Sequence, residues 1–221
     1  MIDLHTHSLL SDGALLPSEL ARRAQEKGYK VIGITDHTDI SNIECVVDAL
    51  LRVCKDINKN WKIRSIPGVE LTHMPLSTIK GAVKLARSKG IRLVLVHGET
   101  VSEPVIPGTN KEAILAGPDI LTHPGLISFE DAKLAASKGV YLEITARSGH
   151  SLTNGHIAEA SKSTGAKLVI NSDAHDPGDL ITRGFAEKVL IGAGLDKKEA
   201  KAVFKNSEIL ACHSLDIKRL I

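Results

Sequence analysis

Four times in this chain a glycine closes a helix-forming stretch rich in Ala, Lys or Glu, and a β-rich run follows it. Gly28 precedes residues 31–35, Gly90 precedes 91–96, Gly139 precedes 140–144 and Gly165 precedes 166–170. Glycine tolerates the left-handed conformation that ends a helix, so each one predicts a helix-to-strand junction. Residues 2–5, 63–71 and 119–123 supply three further runs, giving seven strands alternating with about eight helices. Such alternation requires βα units around a parallel sheet. Pro17 suits a first helical turn, and Ser41 with Glu44, Thr109 with Glu112 and Ser128 with Asp131 predict capped helix starts. Residues 99–108, with two prolines, form the one longer loop. Periodicity leaves a closed barrel and an open doubly wound sheet both available, and no glycine-rich phosphate loop follows the first strand.

At 221 residues and 43% apolar content the chain reads as a single domain, 1–221, with enough apolar residues for a full core. Its apolar runs fall far short of the roughly 18 residues of a membrane span. With a net charge of +2, bulk electrostatic capture of nucleic acid is not expected. The start, Met1 to His5, has no basic-then-apolar leader, so the expected location is cytoplasmic and no membrane partner is expected. Cys45, Cys54 and Cys212 form neither a zinc pattern nor a disulfide framework and read as mostly buried thiols.

Ten histidines against six aromatic residues are the unusual feature. His5 and His7 lie two apart at the end of strand one, on one face. Asp12 follows in the next loop, and His37, Glu70, His97 and His123 end strands two to five. Asp173 and His175 follow strand seven. Active sites of barrels and open α/β sheets lie at the carboxyl ends of strands. A lone histidine there is most simply structural, but six in that position are not. Six imidazoles and three carboxylates exceed the four to six ligands of one ion, so two or three divalent ions are expected, and a donor set without thiolates suits Zn, Mn or Fe. Three such ions would outweigh three carboxylates and favour an anionic substrate such as a phosphate ester, cut by metal-activated hydroxide with no organic cofactor. Arg147 and Arg183 are candidate phosphate-binding forks, and His150 and His73 are candidate substrate contacts. Asp36 is the candidate partner of a ligating imidazole, while Glu99 and Glu143 read either as rim acids or as ordinary loop and strand residues.

These residues resemble the polymerase and histidinol phosphatase (PHP) metallophosphoesterases. The motifs appear in order: His5 and His7 with Ser11-Asp12-Gly13, Ile34 to His37, Gly68 to Glu70, the strand-end His97 and His123, and Ser172 to His175. The resemblance covers nearly the whole chain and implies a distorted (β/α)7 TIM-like barrel with a trinuclear centre. By that resemblance one ion takes His5, His7, Glu70 and Asp173, and a second takes Asp12, His37 and His175. Glu70 would bridge to a third held by His97 and His123. Asp12 departs from family members that carry histidine there.

The expected function is hydrolysis of a small phosphorylated substrate by a phosphomonoesterase resembling histidinol-phosphate phosphatase. The alternative is a nuclease-like phosphodiesterase acting on nucleic-acid ends or nucleotides. Few aromatic rings and a small net charge weigh against it, making nucleic acid the less expected partner. An amidohydrolase also opens with two histidines on strand one, but the paired Asp173 and His175 count against it. A non-catalytic ribonucleoprotein subunit, as in ribonuclease P, would have no need of the full ligand set.

Overall fold

All four glycine junctions carry left-handed backbone: Gly28, Gly90, Gly139 and Gly165 have φ of 86°, 97°, 73° and 79°. Each returns the chain from a helix to the sheet. The computed structural model describes residues 1–220. Its strands are β1 (Ile2–Asp3), β2 (Val31–Ile34), β3 (His37–Thr38), β4 (Arg64–Leu71), β5 (Leu93–His97), β6 (Ile120–Thr122), β7 (Tyr141–Thr145) and β8 (Leu168–Asn171). Its α-helices are α1 (Pro17–Glu26), α2 (Ile43–Asn60), α3 (Leu76–Ser88), α4 (Thr109–Ala116), α5 (Phe129–Lys138), α6 (Asn154–Thr164), α7 (Arg183–Gly192) and α8 (Lys197–Leu215).

Every strand pairing is parallel, in the order β1-β2-β4-β5-β6-β7-β8. The ring is nearly closed: beyond β1, the Asp173 amide donates to His5 O (3.1 Å) and the His7 amide to Ala174 O (2.8 Å). The result is a distorted seven-stranded (β/α) barrel. The second predicted strand is interrupted: β2 stops at Ile34, and His37 opens the short β3, which pairs with β4. Strand one is also shorter than expected. Where its ladder lapses, the Leu4 amide donates to Asn171 Oδ1 (2.8 Å) and the Ser172 amide to both oxygens of Asp3 (3.2 Å).

Side-chain alternation divides the core. Leu4, Val31, Ile66, Leu93, Leu95, Ile120, Tyr141 and Val169 fill the barrel, and Leu210 and Ala211 of α8 pack with them. Val69, Leu71, Val94, Val96, Leu121, Leu142 and Ile144 face the surrounding helices. The interior is tight enough to require glycine. A Cβ on Gly33 would lie 2.9 Å from Leu4 Cα, and one on Gly68 2.8 Å from Leu93 O.

Helix starts are partly as predicted. Pro17 opens α1, and Ser128 caps α5 by accepting from the Asp131 amide (3.0 Å). The pairs at Ser41 and Thr109 form no such caps. Ser41 bonds Asp39 instead, and Glu99 reaches from the preceding loop to accept from the amide of Gly108 (3.0 Å), just before α4, and from that of Asn110 (2.8 Å) in its first turn. Of the cysteines, Cys54 is buried, Cys45 is exposed and Cys212 is partly exposed. Among the described residues no helix is long and apolar enough to cross a membrane.

Candidate metal centre

The strand period that fills the barrel also delivers the donors to its carboxyl rim. Leu93 and Leu95 point inward, so His97, the next residue in phase, does too. Ile66 and Gly68 place Glu70 likewise, and Tyr141 places Glu143. His123 is out of phase with Ile120 and Thr122, and its left-handed backbone (φ 26°) turns it to the rim. Asp173 (φ 54°) and His73 (φ 49°) share that sparsely populated conformation. Strain held at a cluster of polar side chains suggests a site rather than a packing need.

The nine donors converge around Glu70 and Asp173. Glu70 Oε2 lies 3.2 Å from His5 Nε2, 3.6 Å from His7 Nε2 and 2.9 Å from His37 Nδ1. Its Oε1 faces His123 Nε2 (3.5 Å) and accepts from Thr122 Oγ1 (2.5 Å). Asp173 Oδ1 is 3.2 Å from His7 Nε2 and 3.6 Å from His5 Nε2. Asp12 Oδ2 reaches His175 Nε2 (3.3 Å) and His37 Nε2 (3.7 Å). His97 lies 4.4 Å from His123, ring centre to ring centre. Two of the resulting donor groups are His5, His7 and Glu70, all buried, and His7, Asp12, His37 and His175, which opens to solvent.

Hydrogen bonding behind the rim sets which nitrogens face inward. Glu143 Oε1 lies 2.8 Å from His5 Nδ1, and a carboxylate only accepts, so Nδ1 donates and the Nε2 lone pair points into the cluster. Gly98 O and Asp173 O receive the Nδ1–H groups of His97 (3.1 Å) and His175 (3.0 Å) in the same way. Burial works against charging the His5 imidazole, but Glu70, Glu143 and Asp173 outweigh it and hold its pKa well above the ordinary value. Burial would raise Glu70 as well, yet His5 and His37 bring it well below the usual carboxylate range. Asp173 is pushed well above that range by burial, with Glu70 and Glu143 adding.

A buried polar atom without a partner is destabilising, and most proteins leave few. Here His5 Nε2, both ring nitrogens of His7, Glu70 Oε2, His123 Nδ1 and Asp173 Oδ1 all lack one. Four of these six atoms belong to residues in the two donor groups just described, and the other two belong to His123 and Asp173, which form a third group with His5; all three hold only imidazole and carboxylate. Divalent cations fit that donor set: each would satisfy several orphaned lone pairs at once.

The remaining candidates divide. Arg147 stands at the rim, its Nε 3.8 Å from Asp173 Oδ2 and its Nη1 3.5 Å from Asp179 Oδ2. Arg183 does not reach it: the guanidinium lies 4.1 Å above the Phe204 ring on α8, because the side chain packs along the neighbouring helix. Asp36 contacts no imidazole by hydrogen bond. It accepts from the Ser8 amide (2.7 Å), Ser8 Oγ (2.8 Å) and Ser11 Oγ (2.8 Å), which fixes the loop carrying Asp12. The role predicted for Asp36, partner of a ligating imidazole, falls to Glu143 on His5, and its place in phase with Tyr141 on β7 was the available signal. His150 is buried beside His123, with ring centres 4.2 Å apart, and its Nε2 turns toward the cluster. Glu103 was not foreseen. It lies in the 99–108 loop, where no periodicity marks it, and its carboxylate meets His73, His97 and His150.

Fold and site together define a (β/α)7 barrel whose carboxyl rim gathers histidine and carboxylate groups that could hold metal ions. The chain belongs to the PHP domain family, whose profile matches residues 3–115. It is 45% identical to an uncharacterized protein of Methanocaldococcus jannaschii over 89% of this chain and 91% of that one. A probable phosphatase of Shewanella pealeana is 30% identical, with 79% and 77% covered. The DNA polymerase/3'-5' exonuclease PolX of Bacillus subtilis is 28% identical over 79% of this chain, which spans only 34% of PolX. Among solved structures, a chain of archaeal ribonuclease P with mature tRNA shares the fold at 16% identity and a TM-score of 0.73, covering 96% of this chain and 90% of its own.

Proposed function

We propose that this PHP domain is a metal-dependent phosphomonoesterase of small substrates, resembling histidinol-phosphate phosphatase in its chemistry. The observation that carries the reading is the set of orphaned, buried imidazole and carboxylate atoms with one guanidinium at their edge. His5, His7, Glu70 and Asp173 would hold one divalent ion, Asp12, His37 and His175 a second, and Glu70 with His97 and His123 a third. The chemistry such a centre supplies is polarisation of phosphate oxygens and activation of water near neutral pH. The protein's own groups do the rest. Glu143 keeps the His5 Nε2 lone pair aimed inward, and Asp36 holds the Ser8 to Asp12 loop in place. Arg147 presents a fork to the non-bridging oxygens of a terminal phosphate. A cavity of about 440 Å³, lined by Arg147, Ser148, Ser172 and Asp176, adjoins the rim and suits a small leaving group.

The similarity to about a third of a DNA polymerase/3'-5' exonuclease favours a second reading, cleavage of phosphodiesters at nucleic-acid ends. A phosphate-release screen over sugar phosphates, amino-alcohol phosphates and nucleotides, run beside single-stranded DNA and RNA, separates the two. Monoester turnover should dominate. Arg147→Ala should lower kcat/KM for monoesters roughly 10–100-fold, the range of a lost charged hydrogen bond, while Arg183→Ala leaves it unchanged. Faster degradation of nucleic acid than of any monoester would replace the first reading with the second.

A further inference from the structure

The 99–108 loop crosses the rim from β5 to α4, and Glu99 ties its far end to the first turn of α4. At its middle, the Glu103 carboxylate meets three imidazoles, each presenting Nε2. Oε2 lies 3.0 Å from His73 and 3.1 Å from His97, and Oε1 lies 3.3 Å from His150.

For His97 this contact cannot be an ordinary neutral hydrogen bond. Its Nδ1 donates to Gly98 O, so in the neutral ring Nε2 carries a lone pair, and it faces a carboxylate oxygen that also only accepts. Two acceptors at 3.1 Å require a cation between them. A proton could serve one such contact. Three imidazoles gathered on one carboxylate, with His73 and His97 ring centres only 4.9 Å apart, cannot all be protonated without mutual repulsion. A single divalent ion serves His73, His97 and Glu103, whose donor atoms all lie within 4.8 Å of one another, while His150 groups instead with His97 and His123. In a tetrahedral zinc site with bonds of about 2.0–2.1 Å, neighbouring donor atoms stand roughly 3.3 Å apart, close to the separations at Glu103. His73 carries left-handed backbone (φ 49°).

His97 also stands apart from the bridging carboxylate. His123 approaches Glu70 to 3.5 Å, whereas no nitrogen of His97 comes within the 4.0 Å of an ion pair with Glu70. Its carboxylate partner is Glu103.

We propose that Glu103 is a metal-binding carboxylate which, with Nε2 of His73 and His97, forms a three-donor position for a divalent, zinc-like cation on the loop side of the cluster. This deepens the phosphoesterase reading and rests on it: the ion assigned there to His97 takes Glu103 in place of Glu70 as its carboxylate, with its fourth position left to water or substrate. The ligand set then includes donors outside the nine strand-end residues.

The test uses the full chain, stripped of metal and titrated with Zn²⁺ for stoichiometry and with Co²⁺ for its visible absorption, which is strong only in tetrahedral sites. Glu103→Gln should lose one ion per chain or weaken one binding step at least about tenfold, and the tetrahedral cobalt band should fall while the remaining ions bind as before. His73→Gln should repeat the effect, and Glu103→Asp should restore part of it. Both Gln variants, confirmed as folded by circular dichroism, binding as many ions with unchanged affinities and an unchanged cobalt spectrum would overturn the assignment. A wild-type chain that binds no ion would overturn the phosphoesterase reading along with it.

Discussion

The two halves of the rim differ in how they meet solvent. In the inner half, the side chains of His5, His7 and Glu70 are completely buried and that of Asp173 is 2% exposed. In the outer half, Asp12 is 55%, His37 24% and His175 10% exposed. Water can satisfy the outer donors when no ion is present, but it cannot reach the orphaned atoms of the inner ones. The inner position should therefore bind its ion more tightly and depend on it for local order, while the outer one exchanges. Burial would thus turn the same chemistry into a fixed component on one side and a replaceable one on the other.

Paired substitutions would break that comparison most sharply. Asp173→Asn should abolish both turnover and inner metal binding, whereas Asp12→Asn should release only the outer ion and keep the inner one through dialysis. Metal analysis of the two variants reads this directly, and equal losses would remove the distinction.

Glu143→Gln should act next most strongly. It keeps the shape but weakens the orientation of His5, so inner metal affinity should fall about 10–100-fold, as for other partners behind a ligand. Outer affinity should stay constant.

A smaller effect should separate the halves by pH. In the metal-free inner half, burial raises Asp173, and the acids around His5 overcome burial to raise its pKa, so both hold protons that an ion must displace. In the outer half Asp12 is shifted down, because His175 and His37 outweigh its burial, and His37 is shifted up, Glu70 outweighing its burial. As pH falls toward 6, inner affinity should therefore drop more steeply than outer affinity. Isothermal titration in buffers of different ionisation enthalpy would show more protons released by the tighter step; equal release would contradict the assignment.

Much of this was legible in the sequence because a few local rules carried it. Left-handed glycines marked the helix-to-strand junctions, and the places of His97 and Glu70 at strand ends predicted that they would line the rim. The missing parts depend on what periodicity does not encode. The convergence of His123 relies on a left-handed residue that no pattern announces. Arg183 follows the last strand in sequence, but the aromatic face of Phe204, about twenty residues on, holds it on the helical layer. Asp36 sits beside His37 in sequence, yet the turn at β2 delivers it to the hydroxyls of Ser8 and Ser11. Glu103 belongs to a loop whose course is fixed by a distant contact, the Glu99 cap on α4.

The central claim is that these donors form a multi-metal centre. Its most direct test is the number of divalent ions bound per wild-type chain when metal-stripped protein is titrated with Zn²⁺ or Mn²⁺ and counted by elemental analysis. The account predicts at least two ions, one of them retained through exhaustive dialysis. Fewer than one tightly held ion per folded chain would contradict it.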